Sequence, residues 1–528
     1  MAFAQNVCNF SVPGTGKTSI VYTAYSYLKN LPKDDIKSIN RIFVICPLSA
    51  FGPWQDEYLE CFGKKPSVKQ LVHMNMRERN NYYYSDQYSE ITLISYQSAA
   101  NDVEGITDFL KRQNNNVMLV LDEAHRIKNI KRGAKWAEAV LSIAKYANSR
   151  VVLTGTPAPN GYLDLWNLFK FIWPDRDIID FPQYYLEHLS QDNTPKSLSD
   201  KQTLVDNISP FFLRIKKSDF KNFPKATYND PIFVQMSPTQ RNIYKNIEER
   251  YINYLEDEDS PSTFLKKLKS ARLIRLMQCL TNPKLLDKPL ESFMEEGLNS
   301  LSADVDDRDL IRLIKGYNPK DEIPPKFIKI LELIRKITQK DGPAGKVVIW
   351  TIFVQNIYDL QDYLEVNGFK CELLYGMTPT EKNDVDDSQI LTRAEIIKEF
   401  HSEQAPYRVI IANPFAVGES ISLHKACHNA IYLEKNYNAS MYMQSKDRIH
   451  RYGLDKDAEI NYYYLLSEDT IDESIHDRVL AKEERMLEII ESQEIPLLNM
   501  NMDEDEGVIE DDIQSLVRDY YVRKAARS

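Results

Sequence analysis

The sequence predicts an α/β protein built on parallel sheets, and three observations carry that expectation. At 528 residues the chain is too long for one ordinary hydrophobic core, so two or more domains of a few hundred residues each follow. Apolar, β-branched runs of strand length alternate with helix-compatible stretches through the first half, as buried parallel strands and their crossover helices do. Each apolar run leads into polar, Gly- or Pro-containing residues. In open parallel sheets ligands bind just beyond the carboxyl ends of the strands, where such residues fall.

Taken in order, the first element is the stretch NFSVPGTGKTSI from Asn9. Pro13, Gly14, Thr15 and Gly16 read as a phosphate cradle. Gly14 and Gly16 free the backbone to turn tightly, so that successive N–H groups point at phosphate oxygens, and the N-terminus of the following helix adds positive potential. Lys17 would reach the β- and γ-phosphates, and Thr18 would offer its hydroxyl to Mg2+. Ser11 stands where the general pattern has its first Gly. SIVYTAYSYL reads as the helix after the loop, and RIFVICP from Arg41, ITLISY from Ile91, NVMLVLDEAH from Asn116 and RVVLTGTP from Arg150 read as strands. Asp122, ending an apolar strand, would hold Mg2+ through its shell, and Glu123 would orient or deprotonate an attacking water. KVVIWTIFVQNIYDLQDYL from Lys346 reads as a strand followed by a helix.

Composition narrows the function classes. With 66 Lys+Arg against 77 Asp+Glu, a formal charge of -11 argues against a protein that coats nucleic acid over its whole surface, but not against a local basic groove. DEDEGVIEDD, Asp503 to Asp512, reads as part of a solvated acidic tail. No apolar stretch reaches membrane-spanning length and no leader pattern opens the chain, so a cytoplasmic location is expected, at the nucleoid or in the nucleus according to the host. Six cysteines without a CxxC pair suggest neither zinc nor a disulfide framework. The clusters RIKK and KKLK would contact a phosphate backbone or form solvated helix faces, and the aromatic run NYYYSDQY from Asn81 would stack on bases or form a partly buried rim.

Blocks in the same order across nearly the whole length resemble the Swi/Snf group of superfamily 2 helicase-type ATPases. VICPLSAFGPWQDEY (Val44 to Tyr58) is similar to that family's Pro-x-Ser…Trp block, through Pro47 and Ser49. LISYQSA (Leu93 to Ala99) resembles the next block, LVLDEAHRIKN the metal-binding motif, and LTGTPAPNGYLDLWNLFKFIWP from Leu153 the Thr-Gly-Thr-Pro…Leu-Trp signature. In the second half, the strand from Lys346 resembles the block that opens a second RecA-like lobe. Gly418, Glu419 and Ser420 match a Gly-Glu-Gly loop with its last Gly replaced, and Gln444, Arg448 and Arg451 match Gln-x-x-x-Arg-x-x-Arg. Swi/Snf-type proteins commonly lack Gly at the place of Ser11.

The resemblance implies two RecA-like parallel-sheet lobes with helical insertions: a first lobe over 1–175, a helical region over 176–340, a second lobe over 341–490 and an acidic tail over 491–528. It implies ATP hydrolysis with Mg2+ on Thr18 and Asp122, with Gly418, Glu419 and Gln444 also at the nucleotide. Arg448 and Arg451 would bring guanidinium charge to the γ-phosphate, Arg451 as the arginine finger. His125, Thr154, Gly155, Thr156, Pro47, Ser49 and Ser420 would couple nucleotide state to nucleic-acid grip. The implied track is double-stranded DNA, held through phosphates and sugars and not through base edges, since a motor moves over any sequence. The family's adenine-reading Gln motif has no counterpart in the sixteen residues before Lys17, where Gln5 lies too close to the loop. The chain is therefore expected to be the C-terminal part of a longer protein, with a protein partner or an upstream domain specifying its target. The alternatives are a strand-separating DNA or RNA helicase, the motor subunit of a restriction or phage-defence complex, and a decayed motor that binds DNA without hydrolysis.

Overall fold

The computed structural model describes residues 5–255, 273–287, 308–379 and 391–492, apart from breaks at 73, 86–87, 129–133, 159–160, 192–193, 221–223, 418–420 and 436–438, together with positions 495, 520, 523 and 524. The chain divides into two units, Met1–Phe223 with Arg485–Met502, and Pro224–Glu484 with Asp503–Ser528.

The first unit is organised by a seven-stranded sheet. Its strands are β1 (Asn6–Asn9), β2 (Arg41–Ile45), β3 (Val68–Gln70), β4 (Ile91–Ile94), β5 (Val117–Asp122), β6 (Ser149–Leu153) and β7 (Phe212–Leu213). Their order is β3-β4-β2-β5-β6-β1-β7, and every pairing is parallel. Parallel neighbours need crossovers, supplied here by the helices Lys17–Lys29, Phe51–Phe62, Val103–Lys111 and Lys135–Ala144. Both faces of the sheet are therefore covered. On β2, Phe43 and Ile45 enter one core cluster while Ile42 and Val44 enter the other, the two-residue period of a strand buried on both sides. Because all seven strands run the same way, their carboxyl ends line one edge. There the segment after β6 lies between those after β5 and β1.

The second unit repeats the plan. Strands β8 (Ala226–Tyr228), β9 (Ile232–Val234), β10 (Val347–Trp350), β11 (Cys371–Leu374), β12 (Val409–Ala412), β13 (Asn429–Tyr432) and β14 (Ile460–Ser467) form a parallel sheet in the order β11-β12-β10-β13-β14-β8, with β9 on the far end of β14. The stretch 176–340, expected as a helical region between lobes, carries strands of both sheets, β7 in the first and β8 and β9 in the second. Its helices Gln183–Gln191 and Pro195–Ile208 belong to the first unit and Pro238–Leu255 and Arg308–Gly316 to the second. The acidic run Asp503–Asp512 and the KKLK cluster lie outside the described residues. No helix among the described residues is long and apolar enough to cross a membrane.

Candidate nucleotide site

The loop between β1 and the helix Lys17–Lys29 turns on two glycines in left-handed geometry, Gly14 at φ 82° and Gly16 at φ 80°, a conformation that costs any residue with a Cβ about 1–2 kcal/mol. Gly16 caps the helix without a side-chain hydrogen bond, and the helix has no acidic residue of its own in the first turn, a helix end of the kind that attracts anions, although the Glu57 carboxylate accepts from Ser19 in that turn. The Thr15 hydroxyl donates to the Val12 carbonyl at 2.7 Å and Lys17 Nζ to the Ser11 carbonyl at 3.3 Å. Ser11 does not take the left-handed backbone that the two glycines take. Its N–H donates to Asn9 Oδ1 and its hydroxyl accepts the Ile215 N–H, each at 3.0 Å, while the Val12 N–H donates to the Ile215 carbonyl at 3.0 Å. Gly at that place would lose an acceptor that Ser11 provides.

Asp122 ends β5 with one donor on each carboxylate oxygen. The Trp54 indole N–H donates to Oδ2 at 2.9 Å and the Glu123 N–H to Oδ1 at 3.0 Å. Loss of hydration and the neighbouring Glu123 carboxylate push the Asp122 carboxyl up to about 6, against the lowering pull of Trp54 and the Lys17 charge. Lys17 and Asp122 thus feel each other across the site. Glu123 is a non-glycine residue in left-handed geometry, φ 50° and ψ 51°, and strain of this kind gathers at functional positions. His125 Nδ1 stands 3.5 Å from Glu123 Oε2. The Tyr96 hydroxyl donates to the Asp122 carbonyl at 2.8 Å.

Thr154, Gly155 and Thr156 follow β6. The Thr154 N–H donates to the Asn9 carbonyl at 3.1 Å and the Thr156 N–H to Thr154 Oγ1 at 3.2 Å. A Cβ on Gly155 would fall 2.7 Å from Pro13 Cδ, so the phosphate loop and this segment touch as closely as a missing side chain allows. Pro47 caps the short turn Leu48–Ala50 that holds Ser49, at the carboxyl end of β2, and the turn leads into the helix carrying Trp54. The first unit therefore gathers Lys17, Thr18, Asp122, Glu123, His125, the Thr154–Thr156 segment, Pro47 and Ser49 along one sheet edge. The donor set, a carboxylate and a hydroxyl near a lysine and a glycine-turned loop, suits a hard, oxygen-seeking cation carried on a phosphate chain. These residues fit Mg2+ with a nucleotide.

Several residues of the site were not singled out by sequence reasoning. Trp54 and Tyr96 lie within blocks quoted for their resemblance, yet nothing in those blocks reveals that both bond to Asp122. Arg214, expected with RIKK at a phosphate backbone or on a solvated face, instead donates to the Phe10 carbonyl beside the phosphate loop and to the Ile490 carbonyl at 3.0 Å. Tyr82 and Tyr83 of the aromatic run are core residues, bonded to Thr92 and Asp102, so neither of these two is open to a base, whereas Tyr84 of the same run is exposed.

In the second unit, the Arg448 guanidinium is buried and donates to the carbonyls of Gln444 at 3.1 Å and Ile421 at 3.3 Å. The Leu423 N–H donates to the Arg448 carbonyl at 2.9 Å, so Arg448 clamps the segment after 418–420. Gln444 and Arg451 are half-buried, and Arg451 Nε donates to the Asp447 carbonyl at 2.9 Å. Burial, then the Arg451 charge, holds the His424 imidazole neutral by lowering it to about 3. Gly418, Glu419 and Ser420 lie outside the described residues.

The model of the SNF2-related domain family matches residues 12–285. The chain is similar to the human SWI/SNF-related matrix-associated actin-dependent regulator of chromatin subfamily A member 1, 24% identical over 483 residues that make up 89% of this chain and 40% of that protein. It is similar also to an uncharacterized ATP-dependent helicase of Mycoplasma pneumoniae, 25% identical over 472 residues, 88% of this chain and 38% of the relative. The chain spans about two fifths of the length of these relatives. Among solved structures, the Sulfolobus solfataricus SWI2/SNF2 ATPase core in complex with dsDNA is 23% identical and covers 97% of this chain and 94% of its own, with a TM-score of 0.36.

Proposed function

Since the chain belongs to the SNF2-related family, we propose that it is an ATP-hydrolysing motor that steps along double-stranded DNA without separating its strands. The observation that supports hydrolysis best is the meeting of the phosphate loop with Asp122 and Glu123 at one sheet edge, where the Lys17 charge acts on the Asp122 carboxylate. Lys17 and the loop N–H groups would bind the phosphate chain, and Thr18 and Asp122 would hold Mg2+. When bound, that ion neutralises charge on the β- and γ-phosphate oxygens. Glu123 would orient the attacking water and take its proton, while its fixed backbone limits the carboxylate to few positions. Arg451 would add guanidinium charge at the γ-phosphate, and Arg448 would hold the preceding loop. His125 and the Thr154–Thr156 segment would pass the γ-phosphate state to the nucleic-acid grip.

The names of the relatives, a regulator of chromatin and an ATP-dependent helicase, support a nucleic-acid track; a protein partner would select the target. Steady-state ATP hydrolysis without nucleic acid, and with duplex DNA, single-stranded DNA or RNA, tests the reading. Stimulation by duplex DNA that disappears in Lys17→Ala is expected. No hydrolysis under any condition would sink it in favour of a DNA-binding module. Strand release from a forked duplex would replace translocation by unwinding.

A further inference from the structure

We propose that Trp54 is a positioning residue that fixes Asp122 relative to Thr18, and so sets the spacing of the two groups that would ligate the cation; the proposal rests on the assignment of Thr18 and Asp122 to Mg2+. Trp54 is 1% exposed and lies between two elements of the site. Toward the phosphate loop it meets Tyr22, one helical turn after Thr18 on the helix Lys17–Lys29. The Tyr22 hydroxyl donates to the Trp54 carbonyl at 2.5 Å, and the two rings pack edge to face with centroids 5.3 Å apart. Toward β5 its indole N–H donates to Asp122 Oδ2. Continuous contact thus runs from the helix bearing Thr18 through Tyr22 and Trp54 to Asp122.

A buried indole N–H usually finds an acceptor, though those of Trp173 and Trp350 have none among the described residues, and a backbone carbonyl would satisfy an ordinary core tryptophan. In this site the acceptor is the carboxylate read as the metal ligand, and the Glu123 N–H bonds its other oxygen. With one donor on each oxygen, the carboxylate plane is fixed, while the remaining lone pairs stay available to a cation. Groups that orient a ligand without touching the metal have measurable effects on its affinity.

The test uses the full chain, with Mn2+ as probe. Mn2+ binding is followed by electron paramagnetic resonance in the presence of a non-hydrolysable ATP analogue, and analogue binding is measured separately in EDTA. Trp54→Phe keeps an aromatic ring and deletes the N–H, and Tyr22→Phe removes only the hydroxyl that seats Trp54. Mn2+ binding about tenfold weaker in Trp54→Phe, weakened to a lesser degree in Tyr22→Phe, with analogue binding in EDTA unchanged in both, is the expected result. A merely structural tryptophan would lower both affinities together, and that outcome overturns the proposal. So does unchanged Mn2+ binding in Trp54→Phe when Asp122→Asn has lost it. If Asp122→Asn also binds Mn2+ like the parent, the site reading itself falls, and the proposal with it. Should Trp54→Phe fail to fold, Tyr22→Phe decides alone, and unchanged Mn2+ binding there counts against the proposal.

Discussion

Glu123 and Gly155 show how tightly the site constrains single residues. The left-handed backbone of Glu123 costs about 1–2 kcal/mol for a residue with a Cβ, a cost that glycine avoids while giving back part of the gain as unfolded-chain entropy. Glu123→Gly is expected to raise the unfolding free energy by up to about 1 kcal/mol in urea titrations. The same change should lower ATP turnover by on the order of 10²-fold or more, and a variant that loses stability and activity together would refute this division. Gly155→Ala acts in the opposite sense. Its Cβ would meet the Pro13 ring at 2.7 Å, so Pro13 and the phosphate loop must shift, at a cost of about 1–3 kcal/mol and with weaker ATP binding in equilibrium titration. The meeting of Lys17, Asp122 and Glu123 at one sheet edge was legible in the sequence, because polar residues at the carboxyl ends of parallel strands fall along that edge. The role of Trp54 was not, since its partner is 68 residues away and only the fold brings them together. The hydroxyl of Ser11 likewise found its use only when Ile215 arrived beside it.

The strands that sequence reasoning identified, β2, β4, β5, β6 and β10, are buried along almost their whole length, where an unbroken apolar run is the physical requirement, although β1, β12 and β13, buried at every position, were not read as strands. β3, β7, β8 and β9 have two or three residues each, mostly half-buried or exposed, and carry no comparable pattern. Their pairing is settled by the neighbouring strand. The end of β13 offers a test of how buried polar groups hold elements together. Glu434 follows that strand, and its Oε1 accepts from the Thr351 hydroxyl at 2.6 Å, the Ile352 N–H at 3.3 Å and Asn356 Nδ2 at 3.4 Å, joining β13 to β10 and to the helix Val354–Val366. Burial is the main cause that pushes its carboxyl up to about 7. A carboxyl raised in the folded state binds its proton more tightly there than in the unfolded chain. Its contribution to stability is therefore full below about pH 4.5 and is lost as pH rises through 7. Glu434→Gln retains the accepting oxygen and removes the buried charge. Its stability relative to the parent should grow between about pH 4.5 and 7, by at most about 3 kcal/mol, and a difference independent of pH in denaturant titrations would exclude burial of the charge as the cause.

Across the whole chain, the alternation of apolar runs made the first parallel sheet legible and the resemblance implied the second, of which only β10 was read from its own apolar run, but the membership of the first unit was not legible. Arg485–Met502 joins it from far along the sequence. Ile495, 4% exposed, packs into the same core cluster as Phe10, Phe169 and Leu204, and Arg214 holds the Ile490 carbonyl. No periodicity reveals a contact of that kind, because a short apolar segment reads alike whichever core receives it. Ile495→Ala is expected to destabilise the first unit by about 2–5 kcal/mol. Hydrogen exchange should show faster opening of β1 and β6 in that variant, and unaltered exchange there would place Ile495 outside the cooperative core. The discontinuity also bears on synthesis. After residue 223 has emerged, residues 224–494 must still be translated before Ile495 appears, roughly 15–55 s at ordinary elongation rates. Throughout that interval the nascent first unit lacks one buried member of that core cluster. A ribosome-associated chaperone that recognises exposed apolar side chains has its longest opportunity to bind there.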